Sequence, residues 1–263
     1  MAKNSNLLMN PLTQADLSGV RLVATDMDGT LTRHGKFTVE LLSALESLQK
    51  AQIPVLIVTG RSAGWVSAVA NYLPIFGAIA ENGGLFFHNQ QQTREFIGNF
   101  ANLSDHRQQL KQVWQRLQTQ FPQIQESADN TFRLTDWTFD IGDLTIAELE
   151  QMATICHQEN MGFTYSTVQC HIKPAKQEKA IALQQVIASY FPELSPKQVV
   201  TVGDSPNDES LFNSAYFPLS VGVANITDYS DRLHHTPAYI ATMPEVGGFG
   251  ELSDQLTICA REL

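Results

Sequence analysis

Three short apolar runs that each end in a polar, glycine-containing turn constrain this chain more than any other feature. They are "VRLVATDMDG" (residues 20–29), "IPVLIVTGR" (53–61) and "QVVTVGDSPND" (198–208). Runs this rich in β-branched residues have no polar face to turn toward water, so they suit strands buried on both faces of a parallel sheet. Helical patterns separate them. "TVELLSALESLQKA" (38–51) sets Leu41, Leu42, Leu45 and Leu48 on one face with Thr38 as N-cap, and residues 62–73 and 176–190 also read as helices. "IFGAIAENGG" (75–84) adds a strand and turn, and "FPLSVGVAN" and "AYIA" supply two more short strands. Strand–helix alternation of this kind predicts an α/β domain with a Rossmann-like parallel sheet.

The rhythm is interrupted from residue 84. "GLFFHN" reads as a strand, and residues 104–120 read as an amphipathic helix carrying Leu110, Val113, Trp114 and Leu117. "NTFRLTDWTFDI" (130–141) alternates like a half-exposed strand. A helix over 145–159 begins with Thr145 and Glu148 in capping-box spacing, and "GFTYSTVQCHI" alternates again. After Pro174 the first pattern returns. The expected organisation is a loose tail (1–19), an α/β core (20–83 and 173–263) and an inserted α+β domain over 84–172, roughly 90 residues, an ordinary domain size.

In a parallel α/β sheet, ligands bind beyond the carboxyl ends of the strands. That edge would collect Asp26 and Asp28 after the first strand, Thr59 after the second, and Asp204 with Asp208 after the third. Four carboxylates in one crevice repel one another and require a cation. A hard divalent ion with oxygen ligands fits, and Mg²⁺ is the usual one where carboxylates and a phosphate share it. An EF-hand fails on spacing: counting from Asp26, position 6 is Leu31 and position 12 is Phe37. Neither G-x-x-x-x-G-K nor G-x-G-x-x-G occurs, which excludes a P-loop and a dinucleotide fingerprint.

"DMDGTLT", "TGR", a lysine in a helix and "GDSPND", in that order, resemble the haloacid dehalogenase superfamily of aspartate-nucleophile phosphatases. The large segment inserted between the second and third motifs is similar to the cap of its Cof-type, sugar-phosphate phosphatase branch. The resemblance implies that Asp26 is the nucleophile and that Asp28 protonates the leaving group and then activates water. It implies that Asp26, the backbone carbonyl of Asp28 and Asp204 hold Mg²⁺, with Asp208 behind them. It gives Thr59 and a lysine the transferring phosphoryl group. Gly29, Thr30, Gly60, Arg61, Asn82 and Asn207 stand beside these motifs as candidate phosphate or substrate contacts. "KPAKQEKAIAL" offers Lys173, Lys176 and Lys179. The family's spacing of five residues after a cap-ending proline selects Lys179 after Pro174, with Lys176 second, although Ala180 stands where the family has glycine.

Each signal has a plainer reading alongside it. Asp-x-Asp-Gly after a strand is commonly just a turn, and the catalytic reading takes its weight from "GDSPND" in the right order. Arg61 reads first as a peripheral ion-pair residue. Trp114 and its leucines read as core. Arg133, Asp136 and Trp137 lie on the inserted segment, where a substrate role is the less favoured reading. The seven histidines show no metal-ligand spacing.

Composition closes off several classes. A formal net charge of −10 disfavours nucleic acid as a partner. Three widely spaced cysteines without a C-x-x-C pair point to neither a disulfide framework nor structural zinc. The N-terminus lacks the apolar core of a signal peptide, and no window approaches the length of a membrane span, so a cytoplasmic, membrane-free protein is expected. The expected activity is Mg²⁺-dependent hydrolysis of a small phosphate ester, such as a sugar phosphate. A phosphomutase shares the same chemistry. A receiver-like signalling protein would be about half this length and would lack the insertion. A non-catalytic binding protein would have no need of all four motif carboxylates.

Overall fold

The computed structural model describes residues 9–91, 94–98, 100–166 and 168–261. In chain order its elements begin with β1 (Asn10–Pro11), β2 (Leu22–Thr25), α1 (Val39–Lys50), β3 (Val55–Val58), α2 (Ala63–Tyr72), β4 (Gly77–Ala80), β5 (Leu85–His88) and β6 (Arg94–Phe96). There follow α3 (Leu103–Gln120), β7 (Trp137–Asp140), α4 (Ile146–Gln158), β8 (Met161–Tyr165), β9 (Gln169–Pro174) and α5 (Lys179–Tyr190). The chain ends with β10 (Val199–Gly203), β11 (Leu219–Gly222), β12 (Tyr239–Ile240) and α6 (Glu245–Arg261). They form an α/β protein of two compact units, Met1–Val55 with Glu193–Leu263, and Leu56–Pro192.

In the first unit five strands lie in the order β1-β12-β11-β10-β2, every pair parallel. β2, β10 and β11 are buried along their whole length, as their lack of a polar face requires. On α1, Leu41, Ala44, Leu45 and Leu48 are buried while Leu42 is exposed. At about 100° per residue Leu42 falls off the edge of the stripe centred on Leu41, Leu45 and Leu48, so the expected four-leucine face is a three-leucine face completed by Ala44. The expectation of a loose tail also fails for the described part of it. β1 pairs with β12, and Leu12 and Leu17 are buried, so apolar burial fixes this stretch. Residues 1–8 lie outside the described residues.

In the second unit β3 and β4 are parallel, then β5 and β6 continue that sheet by antiparallel pairing. β5 and β6 fall in the segment that was expected, from residue 84, to form the inserted domain. They instead extend the β3–β4 sheet, because the tight turn after β4 folds β5 straight back along it. A separate module follows, in which α3 and α4 cover an antiparallel sheet ordered β7-β9-β8. It has its own core, including Leu110, Trp114, Leu117, Phe139, Met152 and Ile172.

The predicted half-exposed strand over 130–141 is strand only at β7, and Trp137, Thr138 and Phe139 are all buried. Upstream, the Asn130 side chain takes the amide of Thr138 at 2.9 Å and donates to its carbonyl at 2.6 Å, standing in for a neighbouring strand. The Thr145–Glu148 capping box opens α4 as expected. α5 begins at Lys179 rather than 176, because Gln177 N closes a turn onto the Pro174 carbonyl. No helix among the described residues is long and apolar enough to cross a membrane.

Candidate active site

In the first unit β2 and β10 run side by side with Thr25 opposite Val202, so Asp26 and Asp204 leave neighbouring strands at the same end. Asp26 N donates to Val202 O at 2.9 Å, which extends the ladder one step and fixes the direction in which the aspartate emerges. Asp208 rides on the short 3₁₀ turn Pro206–Phe212. Its Oδ2 accepts the amides of Asp204 (3.0 Å) and Ser205 (3.2 Å). Asp26, Asp204 and Asp208 are all buried, and each offers an oxygen within 4.8 Å of the others'. Three buried carboxylates this close are a donor set for a hard divalent cation, and the residues fit Mg²⁺.

Further groups hold this cluster in shape. Thr30 Oγ1 donates to Asp204 Oδ1 at 3.1 Å. Asn225 Nδ2 donates to Asp204 Oδ2 at 2.9 Å and to the Gly29 carbonyl at 3.1 Å. Gly29 has φ +81°, a conformation open to glycine. Asp28, half-buried, sits on the turn directly after Met27. Asn207 Oδ1 accepts the Ser205 hydroxyl at 2.6 Å, inside the turn that carries Asp208.

The second unit assembles the other motif residues. Thr59 follows β3, and its amide donates to Ile79 O at 2.9 Å. Arg61 N donates to Thr59 Oγ1 at 3.1 Å, while Asn82 N donates to Thr59 O and Glu81 N to Arg61 O, both at 3.0 Å. Thr59, Gly60 and Arg61 are thereby strapped to the turn after β4, where Glu81 and Asn82 both hold positive φ. The Arg61 guanidinium lies 4.9 Å over the Trp65 ring. The structure separates the three lysines. Lys173 is buried and donates to Gln177 O, Lys176 is exposed, and Lys179 is 1% exposed at the first turn of α5.

Sequence reasoning missed or undervalued several residues around these. Asn225 follows β11, the strand next to β10, and the same strand-end rule points to it. Glu81 was hidden in a turn motif, yet its buried carboxylate accepts from the amides of Ala63, Leu134 and Thr135 and from the Thr135 hydroxyl. Burial, reinforced by the charge of Asp136, raises its pKa. Gln169, His171 and Lys173 alternate along β9 and are all buried, a polar face that period-2 reading marks as unusual. Arg133 and Asp136, for which a substrate role was the less favoured reading, form a buried ion pair at 3.0 Å. Burial opposes the charge of each, but their attraction prevails. It holds Asp136 below the usual carboxylate range and Arg133 above the usual guanidinium value.

A family model described as a haloacid dehalogenase-like hydrolase matches residues 23–97 and 96–231. The chain belongs to the haloacid dehalogenase-like hydrolase family. This hydrolase is 26% identical over 247 residues to phosphoglycolate phosphatase 1 of Saccharolobus solfataricus, an alignment covering 90% of the chain and 96% of the relative. Its fold is shared by the Thermoplasma acidophilum 0175 protein, with a TM-score of 0.73 and 20% identity over 90% of this chain and 98% of that one. The sucrose-phosphatase of Synechocystis sp. PCC6803, solved with sucrose and phosphate, shares it at a TM-score of 0.64 and 16% identity, covering 89% and 97%.

Proposed function

We propose that the chain is a Mg²⁺-dependent phosphomonoester hydrolase that works through an aspartyl-phosphate on Asp26. It is a phosphatase, and its substrates are small phosphorylated molecules. The observation that carries the reading is the buried Asp26–Asp204–Asp208 group in a chain of this family. Asp26, Asp204 and the backbone carbonyl of Asp28 would hold the ion, with Asp208 anchoring the Asp204 backbone. Bound there, the ion would supply positive charge that offsets the negative charge of the carboxylates and of the phosphoryl group.

An Asp26 carboxylate oxygen attacks phosphorus, and the bond from phosphorus to the leaving oxygen breaks. Asp28 gives that oxygen its proton. Water then attacks phosphorus, Asp28 takes back a proton, and the Asp26–phosphorus bond breaks to release phosphate. Thr59 and Lys179 would bind the transferring oxygens, and Gly29, Thr30, Gly60, Arg61, Asn82 and Asn207 are further candidate phosphate or substrate contacts. The module of α3, β7, α4, β8 and β9 serves as the cap that reads the leaving group. The names of the relatives, one acting on phosphoglycolate and one solved with sucrose and phosphate, support a phosphorylated sugar or hydroxy acid.

The test is release of phosphate from para-nitrophenyl phosphate with and without Mg²⁺, in wild type and Asp26→Asn. Turnover is expected to require the ion and to vanish in the variant. Full activity in excess EDTA, or in the variant, would falsify the reading. A steady yield of an isomeric phosphate ester in place of inorganic phosphate would move it to a mutase.

A further inference from the structure

The peptide group joining Gly60 to Arg61 is gripped at both ends. Its N–H, on Arg61, donates to Thr59 Oγ1 at 3.1 Å. Its carbonyl, on Gly60, accepts from Arg133 Nη1 at 2.9 Å. A peptide is planar, with N–H and C=O pointing opposite ways, so whatever holds the oxygen also aims the hydrogen. A threonine hydroxyl that accepts one N–H has its own hydrogen left to donate elsewhere. The orientation of the Thr59 hydroxyl therefore depends on a residue 74 positions away, outside every motif.

Arg133 is itself held rigidly. Its Nη1 pairs with both oxygens of Asp136 at 3.0 Å, Nε and Nη2 pair with Asp129 at 3.1 and 2.9 Å, and Nη2 also donates to Gln169 Oε1 at 2.9 Å. Asp136 Oδ2 in turn meets His171 Nδ1 at 2.9 Å. The far side of that imidazole lies against Gly60: a Cβ at residue 60 would stand 3.0 Å from His171 Cε1 and 3.1 Å from Nε2. Arg133, Asp136 and His171 are 2%, 0% and 1% exposed, too buried for a surface role.

We propose that Arg133 and His171 are positioning residues of the Thr59–Gly60–Arg61 loop, Arg133 by fixing the Gly60 carbonyl and His171 by closing the space over its Cα. The proposal rests on the phosphatase reading above and adds to it that the inserted segment does more than read the leaving group. It supplies the outer wall of the phosphate loop. Its residues then affect the transfer of every phosphoryl group alike, whatever alcohol departs.

The experiment compares wild type, Arg133→Gln and His171→Ala on para-nitrophenyl phosphate, phosphoglycolate and glucose 6-phosphate, with folded fraction checked by circular dichroism. Each variant is expected to lose kcat by about 10- to 100-fold, the scale of a 1 Å misplacement, and by a common factor on every ester the wild type turns over. Gly60→Ala, whose Cβ meets the imidazole, is expected to lose a similar factor, and Gly60→Ala combined with His171→Ala to regain about tenfold or more over Gly60→Ala alone. This glycine pair decides the matter even where Arg133→Gln does not fold. The proposal is overturned by a folded Arg133→Gln with kcat near wild type, by losses confined to one ester, or by no recovery in the double variant. Wild type inactive on all three esters would instead remove the phosphatase reading on which the proposal stands.

Discussion

Gly29 and Asp204 approach so closely that a Cβ on residue 29 would stand 2.3 Å from Asp204 Oδ2. The glycine of the first motif therefore also makes room for the carboxylate of the last. Gly29→Ala adds a left-handed backbone penalty of about 1–2 kcal/mol and displaces Asp204 from the carboxylate group. The expected outcome is a loss of Mg²⁺ affinity of about tenfold or more, measured by calorimetric titration. Unchanged binding would show that Asp204 does not serve the ion.

Asn225 holds Asp204 from the other side and ties it to the Gly29 carbonyl. Partners that orient ligand carboxylates are typically worth about 10- to 100-fold in metal affinity or activity. Asn225→Ala should raise the Mg²⁺ concentration for half-maximal turnover by a factor in that range, with smaller loss at saturating Mg²⁺. An unchanged Mg²⁺ requirement would reduce Asn225 to a structural bridge.

The two lysines favoured by motif spacing differ sharply in burial, Lys179 being 1% exposed and Lys176 open to solvent. A buried ammonium acts on developing negative charge with little screening by water, and a transferring phosphoryl group carries such charge. Lys179→Met should lower kcat by about 10²- to 10³-fold, the usual loss when one donor to a developing charge is removed. Lys176→Met should leave turnover within about twofold, as expected of an exposed side chain. The reverse ranking in steady-state kinetics would assign the phosphate contact to Lys176.

Much of this site is legible in the sequence because strand ends in a parallel sheet converge by geometry alone. Asp26, Asp204 and Asp208 could be grouped from two apolar runs and their endings. What resisted reading are residues whose role depends on non-local packing. Arg133 looks like an ordinary strand arginine until Gly60, Asp136 and Asp129 are seen around it. Glu81 reads as turn composition until its carboxylate is found collecting amides from two distant segments. The start of the inserted module was misplaced for a related reason. β5 has the same apolar character whether it opens a new sheet or extends an old one, and only its pairing with β4 decides.

His171 gives a final prediction, on pH. Burial lowers its pKa from the ordinary 6.5, with Arg133 and Lys179 adding to the effect and Asp136 opposing it. Below pH 6.5 the unfolded chain takes up a proton at this position that the folded chain resists. The stability linked to it is therefore full above pH 6.5 and is lost as pH falls toward the folded value. His171→Gln abolishes that dependence while keeping a polar side chain. In urea melts between pH 7.5 and 5.5, wild type is expected to lose stability more steeply than the variant, by up to about 1.4 kcal/mol per pH unit. Parallel pH profiles for the two proteins would show that His171 titrates alike in the folded and unfolded chains, and a steeper variant would reverse the assigned direction.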